Sequence, residues 1–212
     1  MDGGELSRPE KASGLELFAN AVMNGGGLKD HSNDELAAIM AGKKVGVGFS
    51  MTDRFFLLSG NTNREDLETQ LQLQTAYLMH PGYRQDGVTL LRRAIPMIYN
   101  KMDHEVQGAM KKQVPAILYR NNPRFTFPTQ EQLTSYQIKD VRDWVDAPLK
   151  NNYMEVTVTG DFRTEDIIPL LERTVGAVPK RAEAPATLDE TLRHPAMADF
   201  NFSKDLTYDS SI

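Results

Sequence analysis

Apolar residues return at helical spacing early in the chain. Leu15, Phe18, Ala19 and Val22 fall at i, i+3, i+4 and i+7, with Leu17 and Ala21 widening the stripe. Polar Glu16, Asn20 and Asn24 lie to the side, and Gly25-Gly26-Gly27 closes the segment where a left-handed cap meets least steric resistance. The pattern predicts a helix packed on a sheet. A second helix follows: Ser32-Asn33-Asp34-Glu35 has capping-box form, Leu36, Ile39 and Met40 supply the apolar side, and Gly42 ends it.

The period then changes to two. Val45, Val47 and Phe49 alternate with Gly46, Gly48 and Ser50, as in a strand with one buried face. Met51-Thr52-Asp53-Arg54 allows a reversal into a second strand, Phe55–Ser59, whose unbroken apolar run predicts burial on both faces. Asn63 and Asp66 signal the start of a helix to about Met79, with Leu67, Leu71 and Leu78 on one side and His80-Pro81-Gly82-Tyr83 as its stop. Residues 85–118 read as a long helical region. Pro96 and Pro115 lie inside it, and each removes a backbone bond, which predicts kinks or two shorter helices.

Asn121-Asn122-Pro123 makes a turn, and Thr129-Gln130-Glu131-Gln132 caps a short helix. A helix from about Lys139 to Leu149 carries Val141, Trp144, Val145 and Leu149, and Tyr153–Thr159 alternates as a strand. Gly160-Asp161-Phe162 leads to Thr164, expected to cap a helix holding Ile167, Ile168, Leu171 and Val175 and ending at Gly176. Residues 179–198 are rich in Pro, Ala and charge without period, a linker or insertion, and Asp199–Tyr208 has room for a last strand. This order is not the alternation of a doubly wound sheet. It predicts an α+β fold, a largely antiparallel sheet covered on one face by helices. Residues 1–178 form the expected domain, and 179–212 the linker and candidate final strand leading to a following domain.

Composition narrows the function. The 212 residues suffice for one sizeable domain or two small ones, and 40% hydrophobic with 25% charged residues is ordinary for a globular chain. A net charge of −5 argues against a nucleic acid or an anionic membrane as main partner. With no cysteine, disulfides and thiolate metal sites are excluded, which suits cytoplasm and periplasm alike. No apolar run reaches membrane-span length, and Met-Asp-Gly-Gly-Glu is not a signal peptide. The opening at Asp2-Gly3-Gly4 and the end at Asp209-Ser210-Ser211-Ile212 read as a piece of a longer protein.

The Gly14-Leu15 opening, the small and apolar body and the glycine-rich end of the first helix resemble the zinc-binding helix of the insulinase-like (M16, pitrilysin-type) metallopeptidases. In active members a His-x-x-Glu-His motif follows such an opening. Laid on this sequence, the two histidines fall on Leu17 and Ala21 and the glutamate on Asn20, so all three chemical groups are missing. Later segments follow the family's order: Asp34–Ala41, Val45–Ser59, Glu65–Met79 with the turn after it, Gln137–Leu149, Val156–Asp161 and Thr164–Gly176. The resemblance runs from about Gly14 to Pro179. It is to a non-catalytic homologous domain, most similar to the first domain of the inactive C-terminal half of a two-half (LuxS/M16-like) peptidase.

The resemblance implies a structural role. Such a domain forms one wall of a chamber that encloses a peptide substrate and closes against the half that carries zinc. It implies no catalytic, cofactor-binding or metal residue in this chain, zinc in the catalytic half of the parent, no activity of this chain alone, and a periplasmic home. The family's substrate-binding Arg and Tyr pair belongs to its last domain, so none of it is carried over. The rival readings are an assembly protein of the same fold with no protease activity, and a separate non-catalytic subunit pairing with an active peptidase.

Other candidate chemistry is sparse. A zinc hydrolase needs three protein ligands and a base. The histidines are His31, His80, His104 and His194, and no two share a helix face. Asp103-His104-Glu105 is the only local cluster; it lies in the general part of the chain where active relatives place a third, glutamate ligand, and otherwise reads as a solvated helix turn. Gly25-Gly26-Gly27 follows a helix, with no Gly-Lys-Ser/Thr signature, so a phosphate loop is disfavoured. Gly48-Phe49-Ser50 lacks a nucleophile-elbow setting. Arg92-Arg93 and Lys111-Lys112 read as solvent-facing pairs.

Overall fold

The structure, a computed structural model, describes residues 1–184. Helices α1 (Leu15–Gly25) and α2 (Asn33–Ile39) precede a hairpin of β1 (Gly48–Met51) and β2 (Phe56–Ser59). Then come α3 (Leu67–Met79), α4 (Gln85–His104), α5 (Val106–Leu118), α6 (Gln130–Ser135), α7 (Ile138–Asn151) and α8 (Thr164–Arg173). The architecture is α+β, helix-rich around a small antiparallel sheet. The expected linker and tail strand lie mostly outside the described residues, as does His194.

The core is built on the predicted face of α1. Leu15, Phe18, Ala19, Val22 and Met23 are buried and meet Phe49 and Phe56 of the hairpin, Val88 and Ile95 of α4, and Val141, Trp144 and Val145 of α7. A smaller cluster under α2 and α3 holds Leu36, Leu73 and Tyr77. Both capping boxes form. The Ser32 hydroxyl accepts from the Glu35 N–H, the Thr129 hydroxyl accepts from the Gln132 N–H, and each partner side chain reaches back to the cap backbone.

The sheet departs from expectation in three places. β1 begins at Gly48, so Val45 and Val47 stand outside it. Between them, the buried Gln70 amide takes the place of a neighbouring strand: the Gly46 N–H donates to Oε1 at 2.9 Å, and Nε2 donates to the Gly46 carbonyl at 2.8 Å. β2 is buried on one face rather than two, with Phe56 fully buried and Leu57 40% exposed. Tyr153–Thr159 belongs to no strand among the described residues, of which only Asp2 bonds to its backbone. Met1 lies between the two: it exchanges a pair of 2.9 Å bonds with Phe56, and the Asp2 N–H donates to the Tyr153 carbonyl at 3.0 Å.

Helix boundaries also shift. The long helical region divides at Glu105, whose extended backbone separates α4 from α5, while both prolines stay inside their helices. A Cβ on Gly108 would stand 2.4 Å from the Met102 Cα, so the glycine lets α5 fold back on α4. Thr164 is the first residue of α8 rather than its cap. Arg163 takes that position and its guanidinium grips Asp166, so the predicted hydroxyl cap is not used. α8 ends at Arg173, ahead of Gly176. Ile39 and Ile168 are exposed, which narrows the apolar stripes of α2 and α8.

Candidate functional site

Gly14, in the left-handed region at φ 86°, starts α1 tight against Pro128. Arg8, almost fully buried, pairs with Glu16 and donates to the Ala12 and Arg124 carbonyls, which fixes the first turn to the loop before α6. The buried face of α1 is therefore set, and the opposite face is left to present side chains. That face carries Leu17, Asn20, Ala21 and Asn24, at i, i+3, i+4 and i+7.

Leu17 is 36% exposed, and Asn20 and Ala21 are half-buried. The stripe has the spacing on which two ligands and a base share one helix side, but its atoms are methyls and one carboxamide. Alkyl groups have no lone pair, and an amide is a poor base and a weak zinc ligand. The residues present do not fit a zinc ion. One turn on, Asn24 holds the fold together. Its Nδ2 donates to the Phe49 carbonyl at 2.9 Å and its Oδ1 accepts from the Phe49 N–H at 2.8 Å, clamping α1 to β1.

The remaining candidates are scattered. His31 lies in the loop before α2, His80 caps the end of α3, and His104 ends α4 with Nδ1 2.7 Å from the Asn100 carbonyl. Asp103 pairs with Lys112 of α5 at 2.9 Å. It stands about 24 Å farther along α4 than Gly87, where α4 meets the Ala21 carbonyl. Asp103-His104-Glu105 is thus a helix-junction turn and does not join the Ala21 position. Among the described residues, no three His, Cys, Asp or Glu side chains are grouped as a metal site. Burial pushes the Tyr83 hydroxyl far above its ordinary range and the Tyr99 hydroxyl up to about 12, and both stay protonated donors, to Asp146 and to the Pro128 carbonyl.

The glycines at the end of α1 serve packing. A Cβ on Gly82 would stand 2.0 Å from the Gly26 carbonyl oxygen, and one on Gly25 2.3 Å from the Gly87 Cα. The Gly82 N–H donates to the Gly27 carbonyl at 2.9 Å, and Leu28 bridges Pro81. The region is a backbone-to-backbone seam in which the Gly82 N–H is taken up by the Gly27 carbonyl. Gly48-Phe49-Ser50 meets α1 through the Phe49 ring and its backbone bonds to Asn24, a packing contact, and Arg92 and Arg93 are exposed.

No family model matches the sequence. The chain is 21% identical over 170 residues to the chloroplast stromal processing peptidase of Pisum sativum and 20% identical to that of Arabidopsis thaliana, 79% of the chain being covered each time. It overlays the periplasmic protease PqqL of Escherichia coli with a TM-score of 0.68 at 19% identity over 91% of the chain, and the ferredoxin protease FusC, solved with Arabidopsis ferredoxin, with 0.64 at 16% over 88%. The fold is that of the insulinase-like, M16-type peptidases. A protease from Helicobacter pylori overlays with a TM-score of 0.63 at 12% identity. The chain spans only 14% and 13% of the lengths of the two plant relatives and 21% of PqqL. No described helix is long and apolar enough to cross a membrane.

Proposed function

We propose that this M16-type chain is a catalytically silent domain of a zinc metallopeptidase, one wall of the chamber in which a peptide is enclosed. The observation that carries the reading is the outward stripe of α1, where Leu17, Asn20 and Ala21 keep the placement of a zinc motif without its donors. Zinc belongs to a catalytic half elsewhere in the assembly, which is this domain's partner, and the domain's contribution is shape: a rigid α1 held between α4 and α7. The domain is residues 1–178, followed by a linker. The parent works in the periplasm, a placement supported by the likeness to PqqL, while the plant relatives are chloroplast proteins.

The test is hydrolysis of an unstructured fluorogenic peptide by the purified chain with micromolar zinc. No turnover above buffer is expected. Chelator-sensitive cleavage that is lost in Asn20→Ala would overturn the proposal.

A further inference from the structure

Packing dictates both residues of the dipeptide that ends α1. The clamp on β1 needs an amide at position 24. Its Nδ2 donates to the Asn20 carbonyl at 2.8 Å and to the Phe49 carbonyl at 2.9 Å, which uses both of its hydrogens. Its Oδ1 accepts from the Phe49 N–H at 2.8 Å. The contact with α4 needs glycine at position 25, since a Cβ there would stand 2.3 Å from the Gly87 Cα. Together they make Asn24-Gly25, the sole Asn-Gly pair among the 212 residues.

That pair is chemically labile. Gly25 has no side chain to shield its nitrogen from the neighbouring amide carbon, and Asn24 is exposed, so water reaches it. Two restraints oppose the reaction, and neither is burial. Attack requires the Asn24 Cβ and the Gly25 nitrogen to eclipse about the Asn24 Cα–C bond. Both residues lie inside α1, where helical ψ holds those atoms apart. The bonds to Phe49 fix the amide itself, and Asn33 Nδ2 holds the Asn24 carbonyl at 2.8 Å. Without these tertiary bonds the last turn of a helix frays readily.

We propose that Asn24-Gly25 is a spontaneous deamidation site gated by the seam between α1 and β1. When β1 leaves α1, the last turn frays and the Gly25 nitrogen attacks the Asn24 Cγ. A C–N bond forms, the side-chain nitrogen leaves as ammonia with the Gly25 proton, and a cyclic imide remains. Water opens the imide at either carbonyl, which leaves aspartate or isoaspartate at position 24. Neither product rebuilds the seam. A carboxylate has no hydrogen to donate, so its oxygens face the Asn20 and Phe49 carbonyls at the negative end of the helix dipole. Isoaspartate adds a methylene to the backbone where Gly25 presses on Gly87. The reaction records an opening of the seam and prevents its closing.

The test incubates the full 212-residue chain at mildly alkaline pH, folded and in urea, and follows conversion at position 24 by peptide mass spectrometry. Conversion is expected to be slower by about tenfold or more in the folded chain. In urea, Asn24 should convert ahead of the other asparagines. Phe49→Ala weakens the hold of β1 on α1 without touching the dipeptide, and should move the folded rate toward the unfolded one. Asn24→Asp reproduces one product and is expected to lower Tm by about 5 °C. Equal rates in the folded and urea samples, first conversion at another asparagine in urea, a folded rate indifferent to Phe49→Ala, or a Tm unchanged by Asn24→Asp would each overturn the proposal.

Discussion

Phe56→Ala is expected to lower stability by about 4 kcal/mol, the range for emptying an aromatic site in a packed core. Phe56 is fully buried, stacks on Phe49 at 5.8 Å and meets Trp144 edge-on at 5.5 Å. Its ring also fills the space beside Gly3, where no Cβ fits. The loss therefore falls on the hairpin, α7 and the N-terminal segment together. Urea unfolding followed by the fluorescence of Trp144, the sole tryptophan, should show the midpoint falling with the slope unchanged. Leu57→Ala, on the exposed face of the same strand, should cost less than about 1 kcal/mol. Equal losses at the two positions would contradict a β2 buried on one side.

Gly87→Ala is expected to destabilise the domain by about 3 kcal/mol, or roughly 6–12 °C in Tm for a chain of this size. Two effects oppose one another. Alanine favours a helix over glycine by about 1 kcal/mol. Against that, its Cβ would stand 1.9 Å from the Ala21 carbonyl oxygen and 3.1 Å from the Gly25 Cα, backbone atoms that cannot turn aside. α1 and α4 have to separate, and the contacts of Val22 and Val88 loosen with them. A thermal melt checks the sign: a Tm equal to or above that of the parent chain would mean that the two helices are not pressed together at this seam.

Elements whose residues make their own bonds were legible in the sequence. Ser32 and Thr129 announce their helices because both partners of each capping box lie within four residues. The buried face of α1 was equally plain, since one period governs Leu15 to Val22. The misreadings share a cause: each depends on a distant partner. Val45 and Val47 alternate like a strand, yet Gln70 takes the place of the neighbour that would make them one. Tyr153–Thr159 has strand chemistry, but strand pairing belongs to two segments, and among the described residues only Asp2 reaches it. The break at Glu105 is hidden because prolines are the stronger local signal, whereas Gly108 packing on Met102 accompanies the fold-back. For the candidate site, the sequence showed which groups stand at positions 17, 20 and 21. That these positions lie on the outward side of α1, and that Asp103 does not reach Ala21, required the packing of α1 against α4.

Zinc content is the most direct measure of a silent α1. The purified chain is dialysed against micromolar zinc and counted by elemental analysis beside Leu17→His/Ala21→His, which places two imidazoles one helical turn apart. Far less than one zinc per parent chain, with retention by the two-histidine variant, is the predicted result. One tightly held zinc per parent chain, released by Asn20→Ala, would contradict the account.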